Sequence, residues 1–271
     1  MTVEPNLDAY FARIGYAGPR APTPELLKAI VARHPVVIPF ENLNPFLGLP
    51  VDLDVPALEA KLVRGGRGGY CFEQNGLLLA VLRALGFEAE GLLARVIWNL
   101  PVGAVNARTH MIIRVNLDGR DLLVDVGLGG MTLTGVLELT PDVEQETPHE
   151  TFRLLREDAL SWRQEARVKD EWRATYRFDL TRAHPIDYVV GNYYTATHPA
   201  SHFTHSLLAA RVNADRRHAL RGLELAVHHL GGPTERRTLG GPQEVEQALE
   251  EVFHIALPAG PMLRERLSRL F

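Results

Sequence analysis

The chain contains one cysteine, Cys71, within Arg67-Gly68-Gly69-Tyr70-Cys71-Phe72-Glu73-Gln74-Asn75. Residues 75–85 are almost all helix formers or apolar (Leu77, Leu78, Leu79, Val81, Leu82, Leu85), and Gly86 is a natural stop. Cys71 is therefore expected in or just before the first turn of a helix. Free backbone N–H groups and the positive end of the helix dipole favour a thiolate there, which makes the sulfur nucleophilic near neutral pH. The plainer alternative is a small buried hydrophobe.

A second group of reactive residues follows in a hairpin. Residues 109–117 and 120–126 are two strand-like runs joined by Asp118-Gly119, a strong hairpin turn signal. A two-residue turn pairs Leu117 with Arg120, Val115 with Leu122, Ile113 with Val124 and Met111 with Val126, giving one continuous apolar face. The other face then carries His110, Arg114 and Asn116 beside Asp121 and Asp125. In this register His110 and Asp125 are diagonal neighbours, and a shift of one residue would separate them and break the apolar face. An imidazole beside a carboxylate has its tautomer fixed by it.

Cys71, His110 and Asp125 are the parts of a Cys-His-Asp nucleophilic centre. Backbone N–H groups at the helix start, including that of Cys71, can stabilise a tetrahedral oxyanion. The constellation serves acyl transfer, peptide hydrolysis or amide exchange, and does not choose among them. A small-molecule binder with an inert thiol is the non-enzymatic alternative; it predicts that Cys71 resists alkylation.

The elements that must position these residues fall into three parts. Apolar spacing over 7–14, a capped start at Thr23-Pro24 running to about His34 where Pro35 should stop it, and a helix over 56–63 make the first part helical. Strands are expected over 92–98, in the hairpin, and over 152–154, 162–168 and 172–178. A loop over 192–203 follows, rich in Tyr, Thr, Ser, His and Pro. Further strands over 206–212, 220–228 and 235–239, a helix from Pro242 through Phe253 and an amphipathic tail over 262–270 complete the chain. The expected fold class is α+β in three domains: 1–87 carrying the nucleophile, 88–203 carrying His110 and Asp125, and 204–271. At 271 residues with 46% hydrophobic and 23% charged residues, such a chain can bury sizeable cores and is neither disordered nor a membrane protein.

A net charge of −4 with scattered arginines argues against a nucleic-acid partner. Residues 1–8 have neither a basic n-region nor an apolar h-region, and no apolar run approaches the ~20 residues of a spanning helix, so a cytoplasmic protein away from membranes is expected. A lone cysteine makes no internal disulfide, which suits a reducing compartment. The spacing of His198, His202 and His205 matches no common zinc signature, so no metal is expected. Gly127-Leu128-Gly129-Gly130 lacks the ending of a P-loop; its glycines permit a sharp exit and close approach of a ligand to the backbone.

Five motifs in order resemble the prokaryotic-type arylamine N-acetyltransferase family: Pro39-Phe40-Glu41-Asn42-Leu43, the Arg67 to Asn75 stretch, Arg108-Thr109-His110, Asp125-Val126-Gly127-Leu128-Gly129-Gly130 and His198-Pro199-Ala200-Ser201-His202-Phe203. The resemblance implies a helical bundle, a β-barrel and an α/β lid around a papain- or transglutaminase-like Cys-His-Asp core. It implies acetyl-CoA as co-substrate in a cleft beneath the lid. Acetyl would pass by a ping-pong route through Cys71 to the nitrogen of arylamines or arylhydrazines, or to the oxygen of N-hydroxy forms. By the same resemblance Phe40, Val96, Leu128 and Phe203 line the acceptor pocket, Gly129 and Gly130 lie near the coenzyme, and Glu41 and Arg67 form a supporting ion pair. The family usually has an aromatic residue where this chain has Leu128, which implies a wider pocket less suited to stacking. An amide synthase of this fold acting on a polyketide thioester would show the same triad, as would a cysteine peptidase or a transglutaminase-like enzyme.

Overall fold

The computed structural model describes residues 3–101 and 103–271; Met1 and Thr2, in the stretch read for a leader, and Val102, in the loop before the hairpin, lie outside them. The first part contains α1 (Leu7–Arg13), α2 (Pro24–Val37), the short strand β1 (Phe40–Glu41), α3 (Leu43–Leu47), α4 (Val55–Leu58) and α5 (Cys71–Ala84). Asn6 and Thr23 cap α1 and α2 by accepting from Ala9 N–H (3.0 Å) and Leu26 N–H (3.3 Å). Pro35 does not stop α2 at His34. Its missing N–H removes one bond near the helix end, the flanking face is buried, and Ile38 N–H closes the last turn on His34 O at 2.8 Å. The helix expected over 56–63 is α4 followed by a π-helical turn, Glu59–Arg64.

The middle of the chain is an antiparallel barrel. Its strands are β2 (Glu88–Val96), β3 (His110–Leu117), β4 (Arg120–Val124), β5 (Leu137–Glu138), β6 (Glu144–Glu146), β7 (Thr151–Arg156), β8 (Ser161–Val168) and β9 (Glu171–Asp179). They lie in the order β5-β4-β3-β2-β9-β8-β7-β6. The open seam between β5 and β6 is stitched by the Gln145 amide, which accepts from Glu138 N–H (2.7 Å) and donates to Glu138 O (2.9 Å). β2 starts four residues before the expected 92: Ala89 and Gly91 are buried, and the alternating Glu88 and Glu90 hide the strand from an apolar run.

β3 and β4 pair as the sequence predicts, with Ile113 opposite Val124, Val115 opposite Leu122 and Leu117 opposite Arg120. Asp118 and Gly119 both take positive φ (54° and 76°), as a tight primed turn requires. The hairpin is buried on both faces. Met111, Ile113, Val115, Leu122, Val124 and Val126 pack against the helices, whereas Ile112 and Leu123 join the barrel interior with Leu92, Phe152 and Tyr176. His110 and Asp125 share the parity of Ile112 and Leu123, and this places them in an almost dry environment.

After the barrel come α6 (Pro185–Thr197), β10 (Leu208–Asn213), β11 (Arg216–Arg221), β12 (Glu224–His229), β13 (Thr234–Thr238), α7 (Pro242–Glu251) and α8 (Met262–Leu267). The loop expected over 192–203 is therefore helical as far as Thr197. α6 leaves Ile186, Val189, Val190 and Tyr193 exposed, so its apolar residues do not mark a buried face. The single strand expected over 220–228 is a hairpin turning at Gly222, inside a sheet ordered β1-β10-β11-β12-β13. β1 comes from the helical part and pairs Phe40 with Ala210, so residues near the nucleophile form the edge of the last sheet. This sheet and α7, α8 enclose a separate core around Leu225, Leu249 and Phe253. Among the described residues no helix is long and apolar enough to cross a membrane.

Candidate active site

Cys71 is the first residue of α5 and is 4% exposed. The helix begins there because Glu73, two residues on, turns back to accept Tyr70 N–H at 3.1 Å. Leu77, Leu78, Val81 and Leu82 then bury its inner face at about 2 kcal/mol each. The approach to the helix is fixed by its glycines: a Cβ at Gly68 would lie 1.9 Å from Pro39 O, so only glycine lets β1 run against this turn. Gly69 N–H donates to Pro39 O (3.3 Å) and Glu41 N–H to Gly69 O (3.1 Å).

The three residues meet at the contact between α5 and the hairpin. His110 Nε2 lies 2.7 Å from Asp125 Oδ2, and the Cys71 sulfur stands near enough to the ring to act on its charge. Cys71 Sγ also lies 3.5 Å from Thr109 O. His110 and Asp125 are 2% and 0% exposed. Burial by itself disfavours an imidazolium, yet the charge and hydrogen bond of Asp125, assisted by the Cys71 sulfur, push the His110 pKa up to about 10. The site therefore favours a protonated imidazole beside the sulfur. Tyr176 packs its ring 5.3 Å from that of His110, and its hydroxyl accepts from Gln164 Nε2 at 2.7 Å.

Several residues that the sequence did not single out hold this arrangement. Asn75 donates to Asp125 Oδ1 (2.8 Å) and Met111 O (2.7 Å) and accepts from Val126 N–H (3.1 Å). Gln74 Nε2 donates to Pro39 O (2.7 Å), and its Oε1 lies 2.6 Å from His34 Nε2, whose Nδ1 faces Tyr10 Oη at 2.8 Å. Burial drives the His34 pKa down to about 4, so this ring stays neutral. Lys61 bonds Glu73 at 2.5 Å and stands 3.8 Å from Glu41, which Arg67 also pairs at 2.7 Å. Burial raises the Glu73 pKa while Lys61 opposes the rise. The one legible signal is a run of three polar residues, Glu73, Gln74 and Asn75, that follows Cys71 and Phe72 at the start of a helix whose next turns are apolar.

The residues expected to bind substrates divide into two groups. Phe40 and Phe203 meet edge to face at 6.2 Å, Phe203 stands 5.3 Å from the Tyr70 ring, and Gly129 lies against Phe40. Val96, Leu128 and Gly130 instead line a groove of about 1010 Å³ between the barrel and the last sheet. Arg167, Lys169, Arg173, Arg217, Arg221 and Arg236 line the groove against Glu150, Asp170 and Glu224, and this net positive wall suits a polyanionic ligand. The expected ion pair of Glu41 and Arg67 is present. Of the three histidines weighed for a metal, His198 accepts Ala200 N–H (3.1 Å) and stacks on Tyr194 at 4.5 Å, and His202 packs on Phe203 at 4.6 Å. Among the described residues no group of three His, Cys, Asp or Glu is placed to hold a metal ion.

A buried thiol at the start of a helix, set beside a buried imidazole–carboxylate pair on the barrel hairpin that the helix packs against, defines the class of cysteine-centred acyl-transfer folds. The family model described as N-acetyltransferase matches residues 23–261, and the chain belongs to the arylamine N-acetyltransferase family. It is 45% identical over 259 residues to the arylamine N-acetyltransferase of Mycolicibacterium smegmatis, covering 93% of this chain and 92% of that one. The solved structure of the arylamine N-acetyltransferase from M. tuberculosis superposes with a TM-score of 0.94 at 41% identity, covering 97% of this chain and all of that one. The Mycobacterium marinum enzyme in complex with CoA superposes with a TM-score of 0.93 at 39% identity, covering 98% and 99% of the two chains. These relatives favour acetyl transfer over the amide-synthase, hydrolase and inert-binder readings.

Proposed function

We propose that Cys71, His110 and Asp125 carry the acetyl group from acetyl-CoA to an aromatic amine or hydrazine in two half-reactions. The protein is an acetyl-CoA-dependent acyltransferase of the arylamine N-acetyltransferase family. The observation that carries the assignment of residues is the buried His110–Asp125 pair at 2.7 Å beside the Cys71 sulfur, which lies 3.5 Å from the carbonyl of the residue before His110. In the first half-reaction the Cys71 thiolate attacks the thioester carbonyl, and a tetrahedral oxyanion forms against the free N–H groups at the start of α5. The C–S bond to coenzyme A then breaks, and the leaving thiolate takes the proton from His110. In the second half-reaction the acceptor nitrogen attacks the acetyl-cysteine, His110 removes its proton, and the Cys71 thiolate leaves. Asp125 keeps Nε2 of His110 occupied throughout, so the other nitrogen always serves the sulfur.

The coenzyme fits the groove, whose arginines and lysine offer charge-assisted hydrogen bonds to phosphate, while Gly130 leaves the backbone open to the pantetheine arm. Phe40 and Phe203, with Gly129 beside Phe40, form the aromatic wall of the acceptor site, and Val96 and Leu128 face the acceptor from the groove side. In this reading residues 1–87 supply the nucleophile, 88–203 the acid–base pair, and 204–271 the lid. The free thiol of Cys71 supports a cytoplasmic location, where it stays reduced.

The test is steady-state kinetics with both substrates varied. Double-reciprocal lines should be parallel, and enzyme without acceptor should release one equivalent of coenzyme A. Intersecting lines with no release before amine is added would show direct transfer within a ternary complex and remove Cys71 from the covalent role.

A further inference from the structure

Asp125 is fully buried, and among the described residues His110 is its only ion-pair partner. Its other hydrogen bonds come from neutral donors. Oδ1 accepts from Asn75 Nδ2 at 2.8 Å and from Gly127 N–H at 2.8 Å, which leaves Oδ2 to His110 at 2.7 Å. The orientation of the Asn75 amide is unambiguous: Met111 O needs a donor and Val126 N–H needs an acceptor, so Nδ2 must be the atom facing Asp125. Asn75 is itself fully buried, one helical turn beyond Cys71 on the same helix. The other titratable groups facing the pair are His110 and Cys71, with Tyr176 from the far wall of the barrel.

We propose that Asn75 is a positioning residue for acetyl transfer: its amide holds the Asp125 carboxyl aimed at His110, and so makes one rigid helix responsible for placing both the nucleophile and the carboxyl group. The proposal rests on the acyl-transfer reading above. A purely structural asparagine would need only its volume and its bonds to Met111 and Val126. The chemical role needs a donor to Asp125.

Asn75→Asp tests the donor, because it has the same shape and still accepts from Val126 N–H but, as a carboxylate, loses the bond to Met111 O as Asn75→Ala does and puts a second carboxyl against Asp125. Two carboxyls so close share a proton, so the introduced group donates only when protonated. The experiment is single-turnover acetylation of Cys71 by acetyl-CoA across pH, in the unmodified enzyme, Asn75→Asp and Asn75→Ala. Both variants are expected to acylate about 10- to 100-fold more slowly at pH 8, the cost of a lost hydrogen bond to a charged group. Only Asn75→Asp should recover as the pH falls. Equal slowing of the two variants at every pH, or an unchanged profile in Asn75→Asp, overturns the proposal.

If the aspartate variant does not fold, NMR of the unmodified enzyme decides. The Asn75 side-chain amide protons should move downfield as His110 loses its proton and Asp125 pulls harder on its remaining donors; protons that stay fixed through that titration overturn the proposal. An unmodified enzyme that never gains an acetyl group defeats the acyl-transfer reading instead, and the NMR titration still decides whether Asn75 follows Asp125.

Discussion

Gly127 lies directly behind the nucleophile, and replacing it with alanine tests how tightly the site is built. A Cβ at residue 127 would lie 2.7 Å from Cys71 Cα, 2.9 Å from Asn75 Nδ2 and 3.3 Å from Cys71 Cβ. Carbon atoms pack at about 3.5–4.0 Å, so the hairpin exit and the start of α5 must separate by roughly 1 Å. The nearest obstacle is backbone and cannot rotate away. Overpacking of this kind costs about 1–3 kcal/mol, or a fall in Tm of roughly 2–6 °C in a chain this long. Activity should suffer more than stability, because a misplacement of about 1 Å at the reacting atoms costs on the order of 10²-fold in rate. Gly76→Ala is the control. It lies on the same helix, its nearest obstacle is a Leu58 methyl at 3.4 Å, and alanine there should be neutral or stabilise the helix by up to about 1 kcal/mol. The assay is calorimetry together with kcat/KM for acetyl transfer. A Gly127→Ala enzyme with unchanged rate and Tm would refute the close packing of Gly127 on Cys71.

Asp125→Asn should lower the His110 titration midpoint, read by NMR, from about 10 towards the ordinary histidine range, and slow acyl transfer on the order of 10⁴-fold. The raised His110 pKa implies stability that is complete below pH ~6.5 and lost as pH rises through about 10, a slope the variant should lack in denaturant melts. His34 acts in the opposite sense: with its folded pKa near 4, it withholds a proton that the unfolded chain accepts. About 3 kcal/mol should therefore be lost as pH falls from 6.5 to 4, and His34→Gln should flatten that slope even if it lowers stability overall. Arg217→Met breaks a buried bidentate pair with Glu150 (2.9 and 2.5 Å) that ties the last sheet to the barrel. It should cost about 3 kcal/mol and raise KM for acetyl-CoA through the shared groove wall; an unchanged KM would show that the groove tolerates movement of the sheet.

The parts of the site that follow from local patterning could be read in the sequence. Cys71 begins a helix because the apolar run and Gly86 demand one, and His110 meets Asp125 because only one register of the hairpin buries Met111, Ile113 and Val115 together. What escaped the reading depends on contacts between distant segments. The polar run at the start of α5 is legible, but the partner of Asn75 is visible only once the hairpin lies against α5. α6 leaves no helical pattern because its apolar residues face solvent, and the turn at Gly222 is hidden by apolar residues on both sides. Pro35 misled because burial of the last turn of α2 outweighed one lost hydrogen bond. The substrate residues divided into an aromatic cluster and a groove wall because β1 leaves the helical part to pair with β10, a long-range pairing without a local signature.

The most direct test of the central claim is intact mass spectrometry after brief exposure of the protein to acetyl-CoA without an acceptor, beside a Cys71→Ala control. The account predicts a single acetyl group, located on Cys71, absent from the control and discharged when an arylamine or arylhydrazine is added. An unmodified protein whose Cys71 still reacts with iodoacetamide would contradict the account, leaving the nucleophile but removing acetyl-CoA as its donor.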